Sequence, residues 1–302
     1  MPQTFYGPIG ERNSTYANAG NANLGRWPLG HTLILPDGRV YRFVLNDGTV
    51  EIAGNLYQSV ASVADHNNTT ADVVRAIAAT AISSTLGATA AAVDIYAEGI
   101  VHINDEVGEG YSYRIKRAMT AGDAHAAAAT SSVLTVNLEA GETVQVALTT
   151  ASNVSYTRNR YHRTTLQASP PTATLTGVSP GVAALDRYYW AQTRGEAAVL
   201  ANLTLLAGLP VQADIAVDGA VENVKRRVRT GGTVTVSVST VGVGQLTDQD
   251  GAVVSGMVSN VSTSVATTID ISGGIAFNSP QVGMCVKANA STEFALIDLD
   301  IR

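Results

Sequence analysis

Asp186–Leu200 reads DRYYWAQTRGEAAVL, and its reading decides the fold. Three large aromatics, Tyr188, Tyr189 and Trp190, stand in a row in a chain where Phe, Tyr and Trp together make up 6% of residues. On a β-strand, side chains alternate between faces, so Tyr188, Trp190 and Gln192 point one way and Tyr189, Ala191 and Thr193 the other. Aromatics on both faces require cover on both faces. One cover is the core of the chain's own sheet. The other is a second domain or another subunit, and the sequence leaves open whether the stretch is core alone or core plus a partner contact. No acid–base pair adjoins the three rings, which gives catalysis no footing at this place.

Composition points the same way. The chain has 302 residues, of which 45% are hydrophobic and only 15% charged, against about a quarter charged in an average domain. Ala, Val, Thr, Ser and Gly take the place of the missing charge. Such a surface suits a protein packed against copies of itself or a larger body, and suits equally a low-charge β protein with Thr and Ser on its open faces. The net charge of −6 provides no broad basic field for a phosphate backbone, so no nucleic-acid partner is expected. Cys285 is the one cysteine, so no internal disulfide forms. No basic stretch followed by an apolar one marks a secretory signal, and "AIAATAI" is too short and too interrupted to span a bilayer. Folding in a cytoplasm with no membrane partner is the expectation.

Outward from the central stretch, the turns are written plainly. Residues 31–60, HTLILPDGRVYRFVLNDGTVEIAGNLYQSV, hold Pro36-Asp37-Gly38, Asn46-Asp47-Gly48 and Gly54-Asn55 between short β-rich runs, a meander of three or four strands. VLTVNLEAGETVQVALTT (133–150) predicts a hairpin turning at Glu139–Glu142, with Val144, Val146 and Leu148 alternating in its second strand. Val234, Val236 and Val238 alternate likewise in Thr233–Val241. One stretch breaks the pattern: in TTADVVRAIAATAISSTLG, Val73, Val74, Ile77, Ala81, Ile82 and Leu86 fall at helical spacing. Thr69 or Thr70 is placed to cap and Gly87 to terminate, so a helix over 70–86 is predicted.

Residues 1–30 are rich in Gly, Asn and Pro and lack a period. They predict an extended arm that docks through Phe5, Tyr6, Tyr16 and Trp27, reaching to a neighbouring subunit and dispensable for folding. Pro170, Pro171 and Pro180 mark the best linker. The predicted architecture is therefore mainly β: the arm (1–30), a β-rich domain with one helix (31–169) and a C-terminal β domain (170–302). Both domains are expected to be sandwich- or barrel-like.

Chemistry-bearing constellations are sparse. The five histidines, His31, His66, His102, His125 and His162, are scattered and predicted to be isolated surface or loop residues. Asp248, Asp250 and Gly251 form a fragment of a calcium loop without its remaining ligands, and read as a turn. No nucleophile elbow or phosphate-loop lysine is present. Glu106 with Glu109, and Asp298 with Asp300, are the nearest carboxylate pairs for a hydrolytic or carbohydrate-binding module. Two basic clusters remain: Arg158, Arg160 and Arg163 around Tyr161 in RNRYHR, and Lys225, Arg226, Arg227 and Arg229 in KRRVR. A contact with an acidic neighbouring protein suits them, as does a solvated strand face.

YYWAQTRGEAAVL resembles a segment of virion structural proteins of tailed bacteriophages. TVGVGQLTDQDGAVVSGMV (240–258) followed by NSPQVGMCVKANASTEFALIDLDIR (278–302) is similar to the ends of head decoration proteins, with Gly283 and the Leu296–Ile301 strand at the matching positions. The resemblance spans about residues 186–302, and the N-terminal half departs from the small single-domain decoration proteins. It implies a non-enzymatic protein of the outer capsid, a homotrimer whose partners are the major capsid protein and copies of itself. It implies no cofactor and no small-molecule substrate. The partner interface expected on this reading is Tyr188, Tyr189, Trp190, Arg158, Arg160, Arg163, Trp27 and Tyr16. A tail, neck or fibre role is the alternative inside the virion.

Overall fold

The computed structural model describes residues 4–17, 27–117, 125–224, 279–290 and 293–301. Within them the chain is mainly β and sandwich-like. Eighteen strands are formed: β1 (Thr4–Tyr6), β2 (Tyr16–Ala17), β3 (Thr32–Ile34), β4 (Val40–Leu45), β5 (Leu56–Gln58), β6 (Thr69–Thr70), β7 (Ala81–Thr85), β8 (Ile100–Asp105) and β9 (Ser112–Arg114), then β10 (Val133–Asn137), β11 (Asn153–Thr157), β12 (Thr165–Leu166), β13 (Leu175–Val178), β14 (Arg187–Leu200), β15 (Pro210–Ala213), β16 (Val221–Asn223), β17 (Gln281–Lys287) and β18 (Phe294–Asp300). Short 3-10 turns at Ile9–Asn13 and Ala64–His66 are the helical elements among the described residues.

The central stretch is β14, the longest strand, and it organises the main sheet in the order β1-β3-β4-β14-β18-β17-β15-β16. Its first half pairs antiparallel with β4, Tyr188 opposite Leu45 and Trp190 opposite Phe43. Its second half pairs antiparallel with β18, Arg194 opposite Asp300 and Leu200 opposite Phe294. Between the halves the register with β4 shifts at Gln192/Arg194. Gln192 fills this bulge: its side-chain amide donates to the carbonyls of Arg194, Gly195 and Glu196 at 3.0–3.1 Å, and its oxygen accepts from Tyr41 Oη at 3.1 Å. Gly195 lies just beyond with φ +80°, backbone that a side chain resists.

The alternation read from the sequence holds. Tyr188 and Trp190 enter one core with Leu33, Leu35, Tyr41, Phe43 and Leu45, whereas Tyr189 and Ala191 enter another with Val44, Tyr161 and Ala183. A third core lies under the C-terminal half of the sheet, where Val199, Val211, Val282, Ile297 and Leu299 meet. The Pro36-Asp37-Gly38 turn joins β3 and β4 as the expected hairpin, with Gly38 at φ +84°. The meander goes no further, because β5 pairs with β12 and β13 instead.

Since β5 and β12 pair, the chain leaves the main sheet after residue 58 and returns to it at residue 165. The excursion builds its own core from Ile82, Tyr96, Val101, Ile103, Ile115, Leu134, Val136, Leu148 and Tyr156 among others. Its sheets are β6-β11-β8-β9 and the pair β10-β7.

The helix predicted over 70–86 is absent. β7 occupies Ala81–Thr85, and residues 75–79 form an irregular strap with a turn closed by Ala79 N to Ala76 O at 3.1 Å: Arg75 and Leu148 exchange backbone hydrogen bonds, and Ala78 and Ala79 bond to Val144. Val73, Val74 and Ile77, the inward face of the expected helix, are exposed, and Ala78 has φ +69°. Long-range backbone pairing and the β-favouring run Ile82–Thr85 outweigh alanine's helix propensity here. The same strap replaces the predicted hairpin partner of Val144–Leu148, while β10 pairs with β7.

The proline-rich stretch near residue 170 is a loop inside the main sheet, since β12 before it and β13 after it both pair with β5. Side chains tie it down: Ser169 N and Oγ bond Asp218 at 2.8 and 2.6 Å, and Gln58 Nε2 donates to Thr172 Oγ1 at 2.8 Å. Prolines there shape a tethered connection rather than a linker.

Candidate functional site

The residues expected at a partner interface divide into two groups. Tyr188, Tyr189 and Trp190 are buried by this chain's own segments. Phe43 stacks on Tyr188 at 5.2 Å and Trp27 lies 5.2 Å from Trp190. The N-terminal segment supplies the rest of the lid: Phe5 and Tyr16 lie 5.5 and 5.6 Å from Trp27. β1 adds to the sheet edge beside β3, and β2 pairs with Arg187 and Tyr188 of β14. Within the chain, the second cover demanded by the aromatics is supplied by the arm itself. Tyr16 and Trp27 are half-buried within the chain, packed against this core.

The lid is pinned from the excursion. Glu98 accepts a hydrogen bond from Leu29 N at 2.6 Å and pairs with Arg117 at 2.9 Å, and Arg117 donates to Trp27 O at 2.8 Å. Glu98 is nearly inaccessible, and burial raises its carboxyl to about 7 against the pull of Arg117.

The arginines of RNRYHR stay at the surface but are engaged. Arg163 pairs with Asp186 at 2.8 Å and Asp47 at 3.5 Å. Arg160 lies 4.7 Å from the centre of the Tyr161 ring. Arg158 stands beside Tyr96, its charge opposing the upward push that burial gives that phenol. Between them His162 is pushed down to about 3 by burial, then by Arg163 and Arg158. The cluster KRRVR, the Thr233–Val241 alternation and Asp248–Gly251 lie outside the described residues.

Three histidines expected at the surface are interior: His31, His66 and His125. His66 is held by Tyr96 Oη at 2.5 Å and Thr89 O at 2.9 Å, a satisfied core residue. Among the described residues no three His, Cys, Asp or Glu side chains converge as a metal would require. Glu106, Glu109, Asp298 and Asp300 are exposed, and Asp300 pairs with Arg194 at 3.2 Å.

Two features escaped the sequence reading. The first is an exposed apolar run. On β17, Val282 and Cys285 point inward while Met284 and Val286 stand outward, 50% and 44% exposed. Phe294 opens β18 at 51% exposure, and Leu203, Leu206 and Leu209 are comparably open. The loop carrying them is laced to β17 by Gly208 N to Cys285 O at 2.7 Å and Cys285 N to Leu209 O at 3.0 Å. The signal was present as "MCV" and "EF", but alternation alone does not say which phase faces out.

The second is Glu51. It lies between exposed Val50 and Ile52, yet its own side chain is inaccessible. One carboxyl oxygen accepts from Thr164 Oγ1 at 3.2 Å, and the other has no hydrogen-bond partner within the chain. Burial raises the carboxyl to about 8, with the hydroxyls of Tyr189 and Thr164 drawing it back in part. The Val-Glu-Ile alternation hinted at an inward acid, but a solvated edge strand has the same pattern.

The fold and these surfaces define a mainly-β, sandwich-like protein. In comparisons with protein-family models, curated proteins and solved structures, the chain matches none.

Proposed function

We propose that this chain is a non-enzymatic structural protein of a tailed-phage virion, docking on the outer surface of the head as a decoration or cement protein. Its partners are the major capsid protein and copies of itself in a homotrimer, and its place is the capsid surface after synthesis in the host cytoplasm. The observation that carries this reading is the number of open apolar side chains in this part of the chain: Met284 and Val286 on β17, Phe294 on β18, and Leu203, Leu206 and Leu209 in the loop hydrogen-bonded to β17. Exposed large apolar side chains in such number favour a surface on which another macromolecule sits. They fall in the part of the chain that resembles head decoration proteins. The low overall charge supports the same reading, because contacts repeated by symmetry add up without one strong site.

The test is cosedimentation of the purified chain with expanded empty heads, alongside a doubly substituted chain, Met284→Asp with Phe294→Asp. Both substituted side chains point outward, so folding survives and head binding is lost. Binding to detached tails and not to heads favours the tail, neck or fibre role. A monomer that binds neither overturns the proposal. Glycan hydrolysis lost on Asp298→Asn and Asp300→Asn also overturns it, in favour of an enzyme.

A further inference from the structure

The strap 49–54 combines three features that a permanent structural element does not need. Its outward residues are apolar and open: Val50 and Ile52 are 53% and 55% exposed. It lies against a second open segment, Glu51 bridging to Ala183, with Val182 at 68% exposure. Its one inward side chain is an acid. Its ties are Glu51 N to Ala183 O at 2.8 Å, Ile52 N to Tyr57 Oη at 2.7 Å, Gly54 N to Ser179 O at 2.7 Å, Leu200 N of β14 to Gly54 O at 2.9 Å, Asn55 N to Ile52 O at 3.3 Å, and Asn46 Nδ2 to Thr49 O at 3.0 Å.

The surroundings of the acid decide what it does. β5 presents Tyr57 and β14 presents Tyr189, and burial pushes both phenols up, so both stay neutral. The residue before β12, Thr164, offers only a hydroxyl, and the 179–183 segment presents Ala183. Arg163, next to Thr164, is committed to Asp186 and Asp47. Among the described residues no cation acts on the carboxyl, which burial and the hydroxyls of Tyr189 and Thr164 alone govern. A neutral acid is tolerated in such a place, whereas a carboxylate with one unpartnered oxygen is costly. Beside it, Tyr189 and Ala183 form one wall of a cavity of about 260 Å³ that Arg12, Ser14 and Thr15 of the N-terminal segment line on the other.

We propose that Glu51 is a proton-operated latch: as a neutral acid it seats the strap 49–54, and on losing its proton to water it drives the strap, with Val50 and Ile52, off the 179–183 segment. The direction follows from linkage. The folded carboxyl holds its proton to about pH 8, whereas the ordinary value is 4.5. The stability this group contributes is complete below the ordinary value and is withdrawn as pH rises through about 8. The inference does not rest on the virion reading.

Hydrogen exchange of the full chain at about pH 6 and about pH 9.5, corrected for the intrinsic rate, tests it. Protection of amides 49–54, and of Leu200, whose amide donates to Gly54 O, is expected to fall roughly tenfold or more at the higher pH, while the rest of β14 and β18 are unchanged. In Glu51→Gln that fall is absent. Glu51→Met, which carries no ionisable group, serves equally if the glutamine variant does not fold. Unchanged protection in the wild-type strap overturns the latch, as does an equal loss in the variant that folds. Loss across β14 and β18 together with the strap also overturns it, because the transition is then global.

Discussion

Trp190 is the side chain on which most of one core converges. It is fully buried, with Phe43 at 5.0 Å and Trp27 at 5.2 Å, and its indole N–H has no hydrogen-bond partner. Trp190→Ala is expected to cost about 3–5 kcal/mol through the cavity it leaves. Trp190→Phe keeps most of the ring volume and removes the unpartnered donor, so its cost is smaller. Urea titrations of the three chains give this order, and equal losses contradict it. Gly283 is the second sensitive position, for a different reason. A Cβ there meets Asp298 O at 2.0 Å and Leu299 Cα at 3.0 Å, backbone atoms of the neighbouring strand that cannot step aside. Gly283→Ala is expected to destabilise by roughly 1–3 kcal/mol, the cost of overpacking, and to part β17 from β18. An unshifted thermal midpoint excludes that close approach.

At the scale of elements, the N-terminal segment differs most from its sequence reading. Phe5, Tyr16 and Trp27 were legible as a docking set because solvated tails seldom carry such aromatics. What they dock on was not legible, since a sequence does not distinguish its own sheet from a neighbour's. Removing residues 1–17 is expected to lower the urea midpoint by the equivalent of about 2 kcal/mol, since two half-buried aromatics are lost from over Trp27 and Phe43. A midpoint equal to that of the intact chain restores the arm to a role between subunits. β14 and the β3–β4 hairpin were readable because their signals are local: alternating aromatics in one, Pro-Asp-Gly in the other. The stretch 70–86 misled because its apolar spacing matches a helix while its partners, Val144 and Leu148, lie more than sixty residues along the chain. Glu51 was unreadable for a related reason. Its burial is imposed by Thr164 and Tyr189, distant in sequence, and nothing in the surrounding GTVEIAG distinguishes a buried acid from a solvated one.

For the molecule as a whole, the pairing of β5 with β12 has a consequence for folding. The chain enters and leaves the excursion at neighbouring points of one sheet, an arrangement in which an inserted unit folds on its own account. The core of that unit draws its buried members from Ala71 to Tyr156 and from no residue outside that range. Two of its polar tethers to the rest, Glu98 to Leu29 and Arg117 to Trp27, are made by a pair that also satisfies itself within the unit, Glu98 and Arg117 lying 2.9 Å apart. About a hundred residues suffice to close such a core. A fragment of residues 60–160 is therefore expected to fold alone, with a β-type circular dichroism spectrum, a cooperative melt and dispersed amide resonances. The main sheet has no such independence in the reverse sense, because its aromatic lid is pinned by Glu98 and Arg117. Replacing residues 60–160 with a short loop is expected to leave Trp27 loosened and its fluorescence red-shifted even where the sheet survives. A fragment that stays unfolded in isolation, or a loop-closed sheet with an unperturbed tryptophan spectrum, contradicts this division of the chain.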